Sequence, residues 1–284
     1  MQKKILALSA VALVLIGFTF FSERGEEYHQ SNPKNAEIKV QDFKKELYAT
    51  PQHSHGGKQC QTKELADSNV LALSWQPAFC ERFNTEPECA VKDPNAYVAT
   101  HFSLHGLWPN KKTCGTDYGF CGKYKKELND FCDYDPVPIS KAELEKLGVY
   151  MPSAVYGTCL QRHEWNKHGT CQALNATNYF NLAIRLTTEF SQGSVESFMA
   201  KNIGKTVSTQ SFFDVVDETF GTDAHKRLQI SCTNNQLSDV FVHMPKDIPN
   251  NASLKTLIHQ AEKNFSNDCG ESFKIVSVDS RTGL

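Results

Sequence analysis

Ten cysteines, at positions 60, 80, 89, 114, 121, 132, 159, 171, 232 and 269, are spread over the body of this 284-residue chain. None stands in a Cys-x-x-Cys pair, which disfavours a zinc ribbon or a thioredoxin-like redox site. Five disulfides formed in an oxidising compartment account for them better. Spacing alone leaves their connectivity open.

The N-terminus agrees with export. Met1-Gln2-Lys3-Lys4 precedes an uncharged run from Ile5 to Phe21, the pattern of a secretory signal peptide. No Ala-x-Ala site follows, and seventeen residues reach the lower edge of a membrane span, so an uncleaved anchor is the alternative. Both readings carry the body across the membrane, because Lys3 and Lys4 stay inside and Glu23, Glu26 and Glu27 follow outside. The protein thus reads as periplasmic or secreted, with membrane contact only if residues 1–21 remain attached. Residues 22–58 are polar and read as a mobile arm. His53-Ser54-His55 within it reads as solvated linker rather than a metal site. Residues 59–284 form the folded body, long enough for a substantial core. The formal net charge of −2 excludes gripping a polyanion by bulk charge. Any nucleic-acid contact must be local and quick to release, which suits an enzyme.

Strand and helix patterns come in blocks. Val70 to Trp75 reads as a buried strand ended by Pro77, and Tyr97 to Leu104 as a second, stopped by Gly106 and Pro109. Ser140 with Glu143 makes a capping box for a helix through Leu147. A helix follows that stops near Gly169. Thr177 is expected to cap the next, with Phe180, Ile184 and Thr187 at helical spacing. Ser194 to Ile203 is helical with Gly204 as its C′ residue, and Phe212 to Phe220 is a further helix ended by Gly221. Leu228 to Cys232, Asp239 to Met244 and Phe273 to Val278 read as strands. Blocks rather than strict alternation indicate an α+β fold.

Two stretches carry chemistry. In His163-Glu164-Trp165-Asn166-Lys167-His168-Gly169-Thr170-Cys171, a helical advance of about 100° per residue puts His163, Lys167, Glu164 and His168 on one arc and turns Trp165 and Asn166 away. The His-Glu-x-x-x-His spacing is one residue longer than the zincin motif. Its histidines stand about 140° apart, with Lys167 on the line of His163, so a zinc centre is disfavoured. The second stretch, His101-Phe102-Ser103-Leu104-His105-Gly106-Leu107-Trp108-Pro109-Asn110, places His101, Ser103 and His105 on one strand face. Trp108 beside Pro109 offers a stiff surface on which a base could stack. A nucleophile elbow of the Gly-x-Ser-x-Gly kind is missing from the sequence. Two imidazoles, one neutral and one protonated near neutrality, suit acid–base catalysis at a phosphodiester. RNA supplies its own nucleophile, the 2′-OH.

Leu104-His105-Gly106-Leu107-Trp108-Pro109 and the His163–Cys171 stretch resemble the two active-site segments of the ribonuclease T2 family. Leu71-Ala72-Leu73-Ser74-Trp75-Gln76-Pro77 resembles that family's first core strand. Gly204 to Ser208 and the region of Cys269-Gly270 are most similar to its bacterial periplasmic branch. The resemblance spans roughly residues 69–280 and leaves out the polar arm. It implies His105 as the acid that protonates the 5′-oxygen and His168 as the base that takes the 2′-OH proton. Glu164 and Lys167 support the transition state, His163 binds phosphate, and Trp108 stacks on a base. Asn110 falls where some members carry an aspartate that favours adenine. The expected products are a 2′,3′-cyclic phosphate and then, slowly, a 3′-phosphate. His101 has no counterpart and reads as structural.

By the same resemblance Cys80 pairs with Cys89, Cys132 with Cys171 and Cys232 with Cys269. Cys60, Cys114, Cys121 and Cys159 stay unassigned. Asn175, Asn251 and Asn264 match the glycosylation sequon but read as ordinary surface residues. The expectation is therefore a disulfide-stabilised single α+β domain, with a central mostly antiparallel sheet flanked by helices. It acts on single-stranded RNA with low base specificity, needs no metal or cofactor, and reads as a monomer with no stable protein partner. The alternative is a non-catalytic member of the same fold that binds RNA or protein.

Overall fold

The computed structural model describes residues 57–90 and 93–278. The expected segment at 1–21, and the 22–58 arm up to residue 56, lie outside the described residues, as do His53 and His55. Among the described residues no helix is long and apolar enough to cross a membrane.

Apolar alternation builds the centre. Strands β1 (Ser68–Ser74), β2 (Ser103–Asn110), β3 (Thr206–Ser208), β4 (Leu228–Thr233), β5 (Gln236–Pro245), β6 (Ser266–Asn267) and β7 (Ser272–Lys274) join one sheet. Its main path runs β2-β1-β5-β4-β6, with β7 bridging β5 and β3. The β1–β2, β1–β5, β4–β5 and β3–β7 pairs are antiparallel, whereas β4–β6 and β5–β7 are parallel. Leu71, Leu73, Leu104, Leu107, Val240 and Val242 bury one face of the sheet in the core. The opposite face of β1, β2 and β5 presents Ser74, Trp108, Asp239 and Phe241. The α+β expectation holds.

Helices α1 (Gln76–Arg82), α2 (Tyr97–Thr100), α3 (Lys141–Tyr150), α4 (Ser153–Tyr156) and α5 (Leu160–Lys167) occupy the first part of the described chain. Helices α6 (Ala176–Phe190), α7 (Gly193–Asn202), α8 (Thr209–Phe220) and α9 (Leu254–Gln260) follow. The Ser140–Glu143 capping box starts α3 with both reciprocal bonds formed. In α6, Phe180, Ile184 and Thr187 face the core as their spacing predicts, but Asn175 caps it, its side chain accepting from the Asn178 N–H. Thr177 therefore lies inside the first turn. Pro77 does not simply end the first strand: it sits at the start of α1, where a missing N–H costs nothing.

The second strand departs most from its expected bounds. Tyr97 to Thr100 is helical, and β2 begins at Ser103 and runs through Gly106 and Pro109 to Asn110. Among the described residues β2 is the last strand of the main path, and a proline can sit on its outer edge without removing a ladder bond. Gly106 belongs to an irregularity instead of a stop: Leu104 pairs with Leu73 and Gly106 with Ala72, leaving His105 as an extra residue. His101 consequently leaves the strand. It caps α2, stacks on Tyr97 at 4.4 Å and lies 3.4 Å from Glu196, which fits its structural reading.

Five disulfides tie the described chain: Cys60–Cys114, Cys80–Cys89, Cys121–Cys171, Cys132–Cys159 and Cys232–Cys269. The expected Cys132–Cys171 pair is overturned. Cys159 caps the N-terminus of α5, whereas Cys171 ends the 3-10 turn after its C-terminus. The eight helical residues between them span about 12 Å, beyond the roughly 7 Å limit for bridged Cα atoms. Cys132 meets the first end. Cys121 meets the second, on a loop whose Phe120 N–H donates to the Lys167 carbonyl at 2.8 Å.

Candidate active site

The bulge in β2 and the end of α5 make the site together. At the bulge, His105 and Gly106 both sit on the sheet face away from the core, and Glu164 of α5 fills the space above Gly106. A side chain at 106 would occupy the position of the Glu164 carboxylate, so glycine is the residue that lets helix and strand close. The Trp108 indole N–H donates to Glu164 Oε2 at 2.7 Å, and His105 Nε2 lies 3.8 Å from Glu164 Oε1.

His168 is reached differently from its predicted position. Helix α5 stops at Lys167, and His168 caps it with φ −108° and ψ −50°. Donor atoms of His163, Glu164 and His168 then lie within 4.8 Å of one another, closer than helical angles alone imply. These three are the group among the described residues whose geometry could gather a cation. Lys167 argues against that use, because its ammonium acts on both histidines. Asn166, expected to face away, is buried and donates to the Arg162 carbonyl at 2.8 Å. Trp165 packs against the core beside Tyr179.

The Trp108 ring organises both motifs. It stacks on His168 at 5.2 Å and 23°, and meets His105 edge-on at 5.2 Å and 81°. Phe241 of β5 lies 5.7 Å from the same ring. Phe131 stacks on His163 at 4.3 Å, a contact that no sequence spacing announced. Asn110 shares the site face of β2 two residues beyond Trp108, with its backbone carbonyl accepting from Asp67.

Burial sets the electrostatics. Glu164 is 1% exposed, and desolvation pushes its pKa up to about 8 against the opposing effects of the Trp108 bond and Lys167. Desolvation first, and the Lys167 ammonium second, hold His163 and His168 well below the usual imidazole range. His105 is also lowered by desolvation, with Asp239 pulling it back up and Lys167 pushing it down. Glu127 is raised by burial, with Lys167 opposing. Three buried atoms, His163 Nδ1, Glu164 Oε1 and His168 Nδ1, have no hydrogen-bond partner among the described residues. Unpaired buried polar atoms are costly, so three on neighbouring side chains call for an explanation.

The sheet edge and the helix end thus bring three imidazoles, His105, His163 and His168, together with the Glu164 carboxyl and Lys167. The profile of the Ribonuclease T2 family matches residues 66–266. The chain is 28% identical over 241 residues to ribonuclease I of Escherichia coli, covering 76% of this chain and 88% of that protein. Over 130 residues it is 30% identical to the intracellular ribonuclease LX of Solanum lycopersicum, covering 46% and 51%. Ribonuclease MC1 from bitter gourd seeds superposes with a TM-score of 0.46 at 19% identity, over 73% of this chain and 99% of that one. The chain belongs to the ribonuclease T2 family, and it is an endoribonuclease acting on RNA.

Proposed function

We propose that the protein cleaves single-stranded RNA with little base preference, by metal-independent transphosphorylation to a 2′,3′-cyclic phosphate that is then slowly hydrolysed to a 3′-phosphate. One observation carries this reading: a single indole, Trp108, stacks on His168 and meets His105 edge-on, so both imidazoles are held against one ring. His168 takes the 2′-OH proton as that oxygen attacks phosphorus, and His105 gives a proton to the departing 5′-oxygen. In the second step water replaces the 5′-oxygen and the two roles reverse.

Glu164, Lys167 and His163 act on the phosphorus oxygens as charge gathers there. With a pKa near 8, Glu164 keeps its proton at neutral pH and can donate a hydrogen bond. Oε2 accepts from Trp108, so Oε1, which lacks a partner among the described residues, is the oxygen left to present that proton. His163 adds a donor or acceptor at Nδ1. Trp108 is engaged by His168, His105 and Glu164, so we assign it first to building the site. Base stacking then falls to whatever ring surface these leave. Asn110 is assigned to the substrate side of the same strand face. Five disulfides support a periplasmic or secreted location.

The test is product analysis on dinucleotides of varied sequence, with and without EDTA. Cyclic-phosphate ends formed in EDTA, and no action on DNA, are expected. Activity abolished by EDTA and restored by zinc would overturn the metal-free mechanism; intact RNA under all conditions would favour a non-catalytic binding member.

A further inference from the structure

Three strands place a second pair of residues behind His105. Ser74, at the end of β1, stands opposite Asp239 of β5 and opposite Ser103 of β2. Directly paired residues of antiparallel strands share a face, so Ser74 and Asp239 lie on the face that carries the site. The bulge then brings the extra residue, His105, over Ser74. Without it, the imidazole would be set by the regular pleat and not by its neighbours' hydroxyl.

The hydrogen bonds in this row have a determined direction. The Ser74 hydroxyl has one proton, and its 2.6 Å contact to Asp239 Oδ1 is to a carboxylate oxygen, which accepts. The 3.4 Å contact between Ser74 Oγ and His105 Nδ1 therefore has the serine oxygen accepting and Nδ1 carrying the hydrogen. The other ring nitrogen, Nε2, faces Glu164 in the site. An acid must deliver its proton from the nitrogen nearest the leaving oxygen, and in the reaction proposed above that is the nitrogen on the Glu164 side, Nε2.

We propose that Asp239, acting through the Ser74 hydroxyl, is the positioning residue that holds His105 as the Nδ1–H tautomer with Nε2 turned to the substrate. This deepens the acid–base reading above and rests on it. The logic is that of any oriented imidazole: a partner on one nitrogen fixes the ring and decides which nitrogen does the chemistry. The Asp239 charge also supports the protonated ring. The groups facing His105 are Asp239 from β5, with Glu164, Lys167, His163 and His168 from α5 and its end. Lys167 disfavours an imidazolium there, and Asp239 offsets it. Neither Ser74 nor Asp239 touches the reacting atoms in this scheme.

The test uses the folded, oxidised protein. Long-range ¹H–¹⁵N spectra, with His105 assigned by its loss in His105→Gln, should show neutral His105 protonated at Nδ1. The kcat/KM–pH profile on a dinucleotide is then compared for wild type, Asp239→Asn and Ser74→Ala. Loss of the carboxylate should make His105 release its proton more readily, so the alkaline limb moves to lower pH. The loss at neutral pH should be smaller than the about 10²–10⁴-fold expected for removing a general acid. A wild-type His105 protonated at Nε2, or an alkaline limb unmoved in both variants, would overturn the relay. Wild type that yields no cyclic phosphate would instead refute the proposed reaction, while the tautomer result still decides the relay. Should a variant fail to fold, the wild-type tautomer decides alone.

Discussion

The close approach at Gly106 makes a sharp prediction for Gly106→Ala. A methyl there would stand 2.5 Å from Trp108 Nε1 and 2.6 Å from Glu164 Cδ, and would overlap Glu164 Oε2. Backbone, indole and a buried carboxyl cannot all give way, so the Glu164 side chain must leave and the Trp108–Glu164 bond must break. Forcing extra volume into a packed site costs about 1–3 kcal/mol, and losing a hydrogen bond to an uncharged carboxyl about 0.5–1.5 kcal/mol. Together these predict a loss of roughly 1.5–4.5 kcal/mol. At about 2–4 °C per kcal/mol for a domain of this size, Tm should fall by roughly 3–18 °C. Activity should fall by about 10²-fold or more even well below Tm, as when one preorganised donor is lost. Differential scanning fluorimetry and cyclic-phosphate release measure the two losses. Gly57→Ala is the control: its backbone is ordinary (φ −64°), and among the described residues nothing lies within 4 Å of the added methyl. Gly106→Ala with wild-type Tm and wild-type activity would refute the idea that glycine is there to admit Glu164.

Glu164→Gln should stabilise the fold while damaging catalysis. The folded state holds the Glu164 proton up to about pH 8, whereas the unfolded chain releases it near 4.5, so this residue costs stability increasingly as pH rises between those values. The gain in Gln should be small at pH 4 and grow to a few kcal/mol by pH 8, at about 1.4 kcal/mol per pKa unit, read by urea denaturation; a pH-independent difference would contradict the assignment. Because burial and Lys167 keep His163 and His168 neutral, binding of inorganic phosphate or a nucleotide should raise their proton affinity and take up protons. Calorimetry in buffers of different ionisation enthalpy would show this, and a buffer-independent heat would count against it. Replacing Cys121 and Cys171 together by serine should cost about 4 kcal/mol in the chain-entropy account, against about 2.6 kcal/mol for Cys80 and Cys89, since the loops close 50 and 9 residues. The first pair should also lose activity disproportionately, because it ties the loop over Lys167 to the end of α5; equal activity losses would argue otherwise.

Much of the site was legible because its two motifs are local. His105 and Trp108 lie on one short strand, and four ionisable residues lie at or next to one short helix. The capping box at Ser140, the C′ glycine after α7 (Gly204, φ 81°) and the core positions of α6 were likewise written in nearest-neighbour chemistry. What failed depended on more distant parts of the chain. Period-2 reasoning assumes a regular pleat, so it put His101 on the strand and could not foresee the bulge that releases His105. Helical angles assume a continuing helix, so they separated His168 from His163, although the helix ends one residue before His168. The Cys132 and Cys171 partners followed from which end of α5 each loop reaches. Ser74 and Asp239 gave only a faint signal: Asp239 opens an alternating strand, Asp239, Phe241, His243, whose odd positions face away from the core.

The division of the site between two elements has a physical purpose. In the proposed reaction a proton is taken from the 2′-oxygen and another is given to the 5′-oxygen, so the two imidazoles need opposite tendencies. Burial first, and Lys167 after it, hold both histidines of the helix end toward the neutral form, and the same two effects reach His105, where Asp239 opposes them. In this proposal the acid is the imidazole that has a negative partner of its own. The sheet provides it: Asp239 lies behind His105 on β5, and the Ser74 hydroxyl connects them. Trp108 then holds the two halves in register, with an edge to His105, a face to His168 and its N–H on Glu164. The bulge at His105–Gly106 makes this assembly possible, since it turns His105 toward Ser74 and clears the space into which the helix's carboxyl descends.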